Sequence, residues 1–80
     1  MTANSITVEA RFSPDGEITP QRFDWQGRLV TVQGVGRRWT DQEDRCFNVM
    51  ALGNRTFELR LDTQSLRWSI ARGPIPGMLV

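Results

Sequence analysis

The sequence predicts a small all-β domain, a six-stranded antiparallel meander that forms a strongly bent sheet or a partial barrel. Apolar and polar residues alternate at a period of two in several short segments, which is typical of half-buried strands. Turn-forming residues separate these segments, and no segment has the apolar period of an amphipathic helix. A chain of 80 residues has room for only one domain with a small core.

Turn signals divide the first half of the chain into three strands. The first covers residues 6–12, and the second covers 20–25 and ends at the two-residue hairpin loop 26–27, where glycine accepts a positive φ. A third strand is expected over 28–39. Its alternation slips at the two glycines of 34–36, which we interpret as a bulge or sharp bend. A phosphate-binding glycine loop would need a helix directly after it, and none is indicated.

The second half of the chain supplies three more strands. Residues 40–44 are polar and predict a loop. The fourth strand is expected over 45–52, with apolar residues on both faces, and the fifth over 56–61. The sixth covers 66–70, with Leu66, Trp68 and Ile70 pointing inward.

One β domain is expected over residues 1–73, followed by an apolar Pro/Gly tail at 74–80. The tail either covers an open end of the fold or is loose. Large apolar side chains at inward positions of the strands are the expected core: Phe23, Trp25, Trp39, Phe47, Phe57, Leu59 and Trp68.

The composition argues against an enzyme. The chain has no His and one Cys, so a structural zinc site lacks its usual ligands and the common nucleophile–base pairs lack their base. We therefore predict no catalytic residue, no metal and no cofactor. The sequence has no apolar run long enough to span a membrane, and the single Cys46 cannot form an internal disulfide. A cytoplasmic protein without membrane contact is expected.

The basic residues are the main candidates for binding. All ten are arginines, and the net charge is only +1. We expect the last hairpin to pair Leu59 with Trp68, because a slip by one residue would bury arginine. A shift by two would place Glu58 beside Arg67 but lose that apolar pair. The expected register sets two arginine pairs opposite each other on the outer face, Arg60–Arg67 and Arg55–Arg72.

These arginines have two interpretations. They could contact an anion such as a nucleic-acid backbone, or they could extend into water and pair with acids on a neighbouring strand. In the same way, Trp25 and Trp39 lie close in sequence to arginines and could stack on bases if exposed, or belong to the core. The candidate nucleic-acid contacts are Arg55, Arg60, Arg67 and Arg72, followed by Arg37 and Arg38.

Residues 18–72 resemble a bacterial domain family of unassigned activity. The family has a Phe-x-Trp-x-Gly-Arg hairpin, a Trp-Arg segment, an Arg-x-aromatic strand, an Asp turn and a last strand with Trp. It occurs alone, and it is similar to the C-terminal module of the inactive, Y-family polymerase-like subunit of bacterial translesion-synthesis complexes. The chain departs from the pattern at Thr40, where the family often has Arg, and at Phe57, where Tyr is frequent. The matching positions are Phe23, Trp25, Gly27, Arg28, Trp39, Arg45, Phe47, Leu59, Asp62 and Trp68.

The resemblance implies an accessory binding role in DNA damage tolerance and no catalytic residue. We therefore expect a non-catalytic module, monomeric or homodimeric, whose arginine-bearing sheet face contacts nucleic acid or a DNA-associated protein. The alternative is a protein-interaction or oligomerisation module that uses an edge strand or the C-terminal tail.

Overall fold

The computed structural model describes residues 5–76 of the chain, with side chains to residue 75. It contains seven strands, β1 (Val8–Phe12), β2 (Ile18–Trp25), β3 (Arg28–Thr31), β4 (Gly34–Asp41), β5 (Asp44–Ala51), β6 (Arg55–Asp62) and β7 (Arg67–Pro76). The predicted all-β class is confirmed. The single six-stranded meander is wrong, because β1–β3 form one antiparallel sheet and β4–β7 form another. The two sheets do not close into a barrel, although an isolated bridge between Ile6 and Trp68 connects them.

The expected third strand is two strands that belong to different sheets. The backbone N–H of Val32 donates to the carbonyl of Gln21 in β2, at 2.9 Å. The next N–H, of Gln33, donates at 2.7 Å to the carbonyl of Met50 in β5. The chain therefore changes its hydrogen-bonding partner from one sheet to the other within two residues, and we call residues 32–33 the corner.

The slip at the two glycines comes directly after this corner. The pairing of β4 with β5 shifts its register between Val35 and Arg38, on either side of Gly36. The predicted bulge is thus confirmed.

The polar segment 40–44 is mostly strand, and the expected loop is wrong. Strand β4 continues to Asp41 and β5 begins at Asp44, and these two residues pair directly. Only Gln42 and Glu43 turn the chain, with φ angles of 54° and 83°. Two consecutive residues in the left-handed region are the backbone pattern of a type I′ hairpin, which matches the twist of the strands.

The core lies between the two sheets. Phe23 of β2 meets Phe57 of β6 edge to face, with ring centroids 4.9 Å apart, and both side chains are fully buried. Trp25 is half-buried and packs against the same core. Trp39 lies outside this core, because it pairs with Cys46 and so points away from the face that carries Phe47. The other expected core residues are buried: Phe47, Leu59 and Trp68.

The register expected for the last hairpin is wrong by two residues. Leu61 pairs with Trp68, and Leu66 is a turn residue with φ 61° and a side chain 70% exposed, not an inward one. The four-residue turn covers residues 63–66 instead of 62–65. The Asp62 carboxylate stabilises it there by accepting hydrogen bonds from the backbone N–H groups of residues 64–65. These bonds favour the ionised carboxylate and lower the pKa of Asp62.

Strand β7 continues into the segment that the sequence assigned to the tail. Ile75 pairs with Thr56 and Pro76 with Arg55, and residues 77–80 lie outside the described part of the chain. No helix among residues 5–76 is long and apolar enough to cross a membrane.

Candidate functional site

The corrected register separates the arginine pairs that the sequence predicted. Arg67 lies opposite Asp62 and Arg72 opposite Glu58, so each faces a carboxylate and not another arginine. Arg60 lies opposite Ser69, and Arg55 opposite Pro76. The expected repulsion between like charges does not exist in this hairpin.

Arg60 is held by two aspartates on the outer face of the β4–β7 sheet. Its Nη2 lies 3.0 Å from Oδ2 of Asp41 and 3.2 Å from Oδ2 of Asp44. The hydrogen bond to Asp41 raises the pKa of the guanidinium. An incoming phosphate would have to compete with both carboxylates, so Arg60 is a weak candidate for an anion contact.

Arg37 and Arg38 have different surroundings. Arg38 reaches across to the other sheet, where its Nη2 donates to Oγ1 of Thr19 at 3.3 Å and its Nε lies 3.8 Å from a Glu17 carboxylate oxygen. Arg37 lies over the ring of Trp39, with its Cζ 4.8 Å from the ring centroid. Arg38 therefore links the sheets, whereas Arg37 and Trp39 form an arginine–aromatic pair on the outer face.

Arg55 resembles Arg37 in lying against a tryptophan ring, but it is also held by a backbone carbonyl. Its Nε donates to the carbonyl of Leu52 at 3.1 Å, and its Cζ lies 5.5 Å from the ring centroid of Trp25. No carboxylate among residues 5–75 forms an ion pair with it. The carbonyl and the indole ring hold the guanidinium in place, and the two Nη groups keep their N–H donors for a ligand.

This arginine lines a cavity of about 190 Å³ between β3 and the β5–β6 turn, which we call the Trp25 pocket. The side chains that define its chemistry are Trp25, Arg28, Leu29, Leu52 and Arg55, together with Val30 and Thr31. Leu29 is 67% exposed and Leu52 66%, so the rim presents apolar surface to solvent. No acidic side chain among residues 5–75 lines the pocket. It is suited to a ligand with an apolar ring and an anionic group.

From the sequence, Arg55 is a predicted contact, and Trp25 and Arg28 match the family, but nothing predicted that the three residues share a pocket. The position of Arg28 beside Trp25 was predictable, because the hairpin loop 26–27 sets the two residues directly opposite each other. Leu29 was harder to predict, and its one indication was that it is an apolar residue next to Arg28. Leu52 could not be predicted as a pocket residue, because it reaches the pocket from a turn of the other sheet.

The sheet edges give no support to the alternative of partner binding by an added strand. Strand β4 has a bulge and two arginines, and β7 contains Pro74 and Pro76. Strand β3 is only four residues long, and β1 has five residues and a register shift between Glu9 and Ala10. Charges, bulges, prolines and short strands all discourage pairing with another chain. The part of the alternative that uses the tail from residue 77 onward lies outside the described residues.

Cys46 is not placed for chemistry. The side chain is 1% exposed, and burial raises the pKa of its thiol, so the reactive thiolate is disfavoured. Within the described range, no group of three or more Cys, Asp or Glu side chains is arranged to hold a metal ion.

Comparisons with protein-family models, with curated proteins and with solved structures give no match. The resemblance to the translesion-synthesis module stays a prediction.

Proposed function

We propose that this protein is a non-catalytic accessory module that binds single-stranded nucleic acid at the Trp25 pocket. The observation that carries the proposal is the Arg55 guanidinium, held by the Leu52 carbonyl and the Trp25 ring without a carboxylate partner in the described part of the chain. Arg55 and Arg28 contact phosphate, and a base packs against Leu29 and Leu52. The accessory role is the one that the family resemblance implies.

The shape of the pocket favours a single strand over a duplex. Bases that are not stacked in a helix can enter a cavity, pack on apolar side chains and stack on a guanidinium plane. Arg55 is only partly buried, so a ligand can approach it from solvent. Arginine also offers two parallel donors to phosphate oxygens, which strengthens the contact.

The outer face of the β4–β7 sheet is the weaker candidate for a nucleic-acid binding surface. Arg60 and Arg67 are there, but Asp41, Asp44 and Asp62 occupy the same region and face them. The carboxylates would repel phosphate as strongly as the arginines attract it. For this reason we move the predicted contact from Arg60 and Arg67 to Arg55 and Arg28.

The test is the replacement Arg55→Gln, with Arg67→Gln as a control that removes the same charge. We expect Arg55→Gln to weaken binding of a ten-residue thymidine oligonucleotide about tenfold, the effect of losing a charged hydrogen bond of roughly 1.5 kcal/mol. The slope of log K against log salt concentration should also flatten by about 0.7, the value for one phosphate contact on a single strand.

Fluorescence anisotropy at several salt concentrations measures both quantities. Arg67→Gln should change the affinity by no more than a factor of about two and leave the salt slope unchanged, because only a long-range charge is lost. Equal losses in the two variants would show that binding depends on net charge and not on the pocket, and would contradict the proposal.

A further inference from the structure

A second cavity shares Arg55 with the Trp25 pocket. It has a volume of about 500 Å³ and is lined by Gln33, Gly34, Met50, Asn54 and Thr56 as well as Arg55. Among the side chains that the structure describes, Arg55 is the one charged side chain that lines both cavities. The Arg55 side chain is therefore shared by an apolar compartment and a compartment that carries side-chain amides, which we call the amide pocket.

The amide pocket has unused hydrogen-bonding capacity. Neither the Gln33 nor the Asn54 side chain makes a hydrogen bond to another residue of the described chain, and an amide offers both donors and an acceptor. The Thr56 hydroxyl already donates to the carbonyl of Ile75 at 3.3 Å. As in the Trp25 pocket, no acidic side chain from the described part of the chain lines this cavity. Its chemistry suits the polar edge of an uncharged ring beside an anion.

We infer that the site takes two consecutive nucleotides of a single strand, with one base in each pocket and the phosphate that joins them on Arg55. This inference rests on the proposed function. Two neighbouring nucleotides share one phosphate, and the two cavities share one guanidinium, so the order base–phosphate–base matches the order cavity–guanidinium–cavity. The base in the Trp25 pocket is held by apolar contacts that every base can make, whereas Gln33 and Asn54 bond to the edge of the other base.

The consequence is a minimum ligand length. A mononucleotide fills one cavity and leaves the other empty, while a dinucleotide fills both and places its single internal phosphate on Arg55. We expect the dinucleotide TpT to bind at least tenfold more tightly than thymidine 5′-monophosphate. Each nucleotide added beyond the second should improve the affinity by less than threefold.

In the experiment, the full chain is titrated separately with thymidine 5′-monophosphate, TpT and a ten-residue thymidine oligonucleotide. Binding is measured from the changes in the amide chemical shifts. The variant Gln33→Ala/Asn54→Gly removes both amides, and glycine is chosen because Asn54 has φ 59°. This variant should weaken TpT about tenfold and leave the monophosphate unchanged. The matched control is Gln42→Gly, which removes an exposed amide at φ 54° from the opposite end of β5. It should leave all three ligands unchanged.

The outcomes separate the two proposals. If TpT binds no better than the monophosphate while the oligonucleotide still binds and Arg55→Gln still weakens it, the two-nucleotide site is wrong and the proposed function stands. If TpT binds tightly but the amide variant does not affect it, the amide pocket is not the second compartment and the inference is overturned. If none of the three ligands binds, both proposals are wrong.

Discussion

Phe57→Ala is expected to destabilise the protein by about 3–5 kcal/mol, the usual cost of removing a large aromatic side chain from a core. Phe57 is fully buried, and its ring meets Phe23 at 4.9 Å and Trp25 at 5.5 Å between centroids. It therefore connects the two sheets and packs against Trp25, which lines the Trp25 pocket. A domain of this size has a total unfolding free energy of roughly 4–12 kcal/mol, so the loss is a large part of it.

Urea unfolding followed by tryptophan fluorescence and far-ultraviolet circular dichroism measures the effect. Leu66→Ala is the control, since Leu66 is 70% exposed, and it should change the unfolding free energy by less than about 0.5 kcal/mol. If Phe57→Ala does not fold, Phe57→Leu should still fold and lose roughly 1–2 kcal/mol. A Phe57→Leu midpoint equal to that of Leu66→Ala would contradict the assigned packing.

Gly73→Ala is expected to destabilise the protein by about 2–6 kcal/mol. Gly73 has φ 118°, a conformation that costs a residue with a side chain roughly 1–3 kcal/mol. In addition, an added Cβ would lie 2.8 Å from the carbonyl oxygen of Thr56 and 2.9 Å from Cα of Phe57. Both are backbone atoms, so β7 would have to move away from β6 at a further cost of about 1–3 kcal/mol.

Gly16→Ala separates the two contributions. Gly16 also has a positive φ, 92°, but an added Cβ there meets no atom within 4 Å. This variant should lose only the conformational part, about 1–2 kcal/mol, in the same urea experiment. Equal losses at the two glycines would mean that the close approach of β7 to β6 at Gly73 is not as described.

Local alternation predicted the β class and much of the core but not the partners of each strand. Phe57 and Leu59 are buried as their spacing indicated. The same kind of pattern in residues 28–39 could not reveal the corner, because alternation marks the buried face of a strand and does not say which sheet it belongs to. The shift in the last hairpin was missed because an apolar residue, Leu66, was assumed to point inward, whereas the Asp62 side chain stabilises a turn that begins one residue later in the chain.

The part of the candidate site that lies within one hairpin was predictable from the sequence. Trp25 and Arg28 face each other across a two-residue loop that the sequence indicates clearly. Arg55 joins them from the other sheet, and its contact with Trp25 spans thirty residues of sequence, beyond the range of hairpin arguments. The ion pairs that occupy Arg60 were missed for the same reason, since Asp41 and Asp44 reach it across neighbouring strands.

The corner at residues 32–33 also bears on how the chain folds. Each sheet is made from one uninterrupted stretch of chain, β1–β3 before the corner and β4–β7 after it. Within each sheet, every pair of adjacent strands is also consecutive in sequence. Hairpins of this kind need only short loop closures, which cost little entropy and form quickly compared with the distant pairings of most β sandwiches. The topology therefore favours two separate hairpin arrays whose association, through residues such as Phe23 and Phe57, completes the native state.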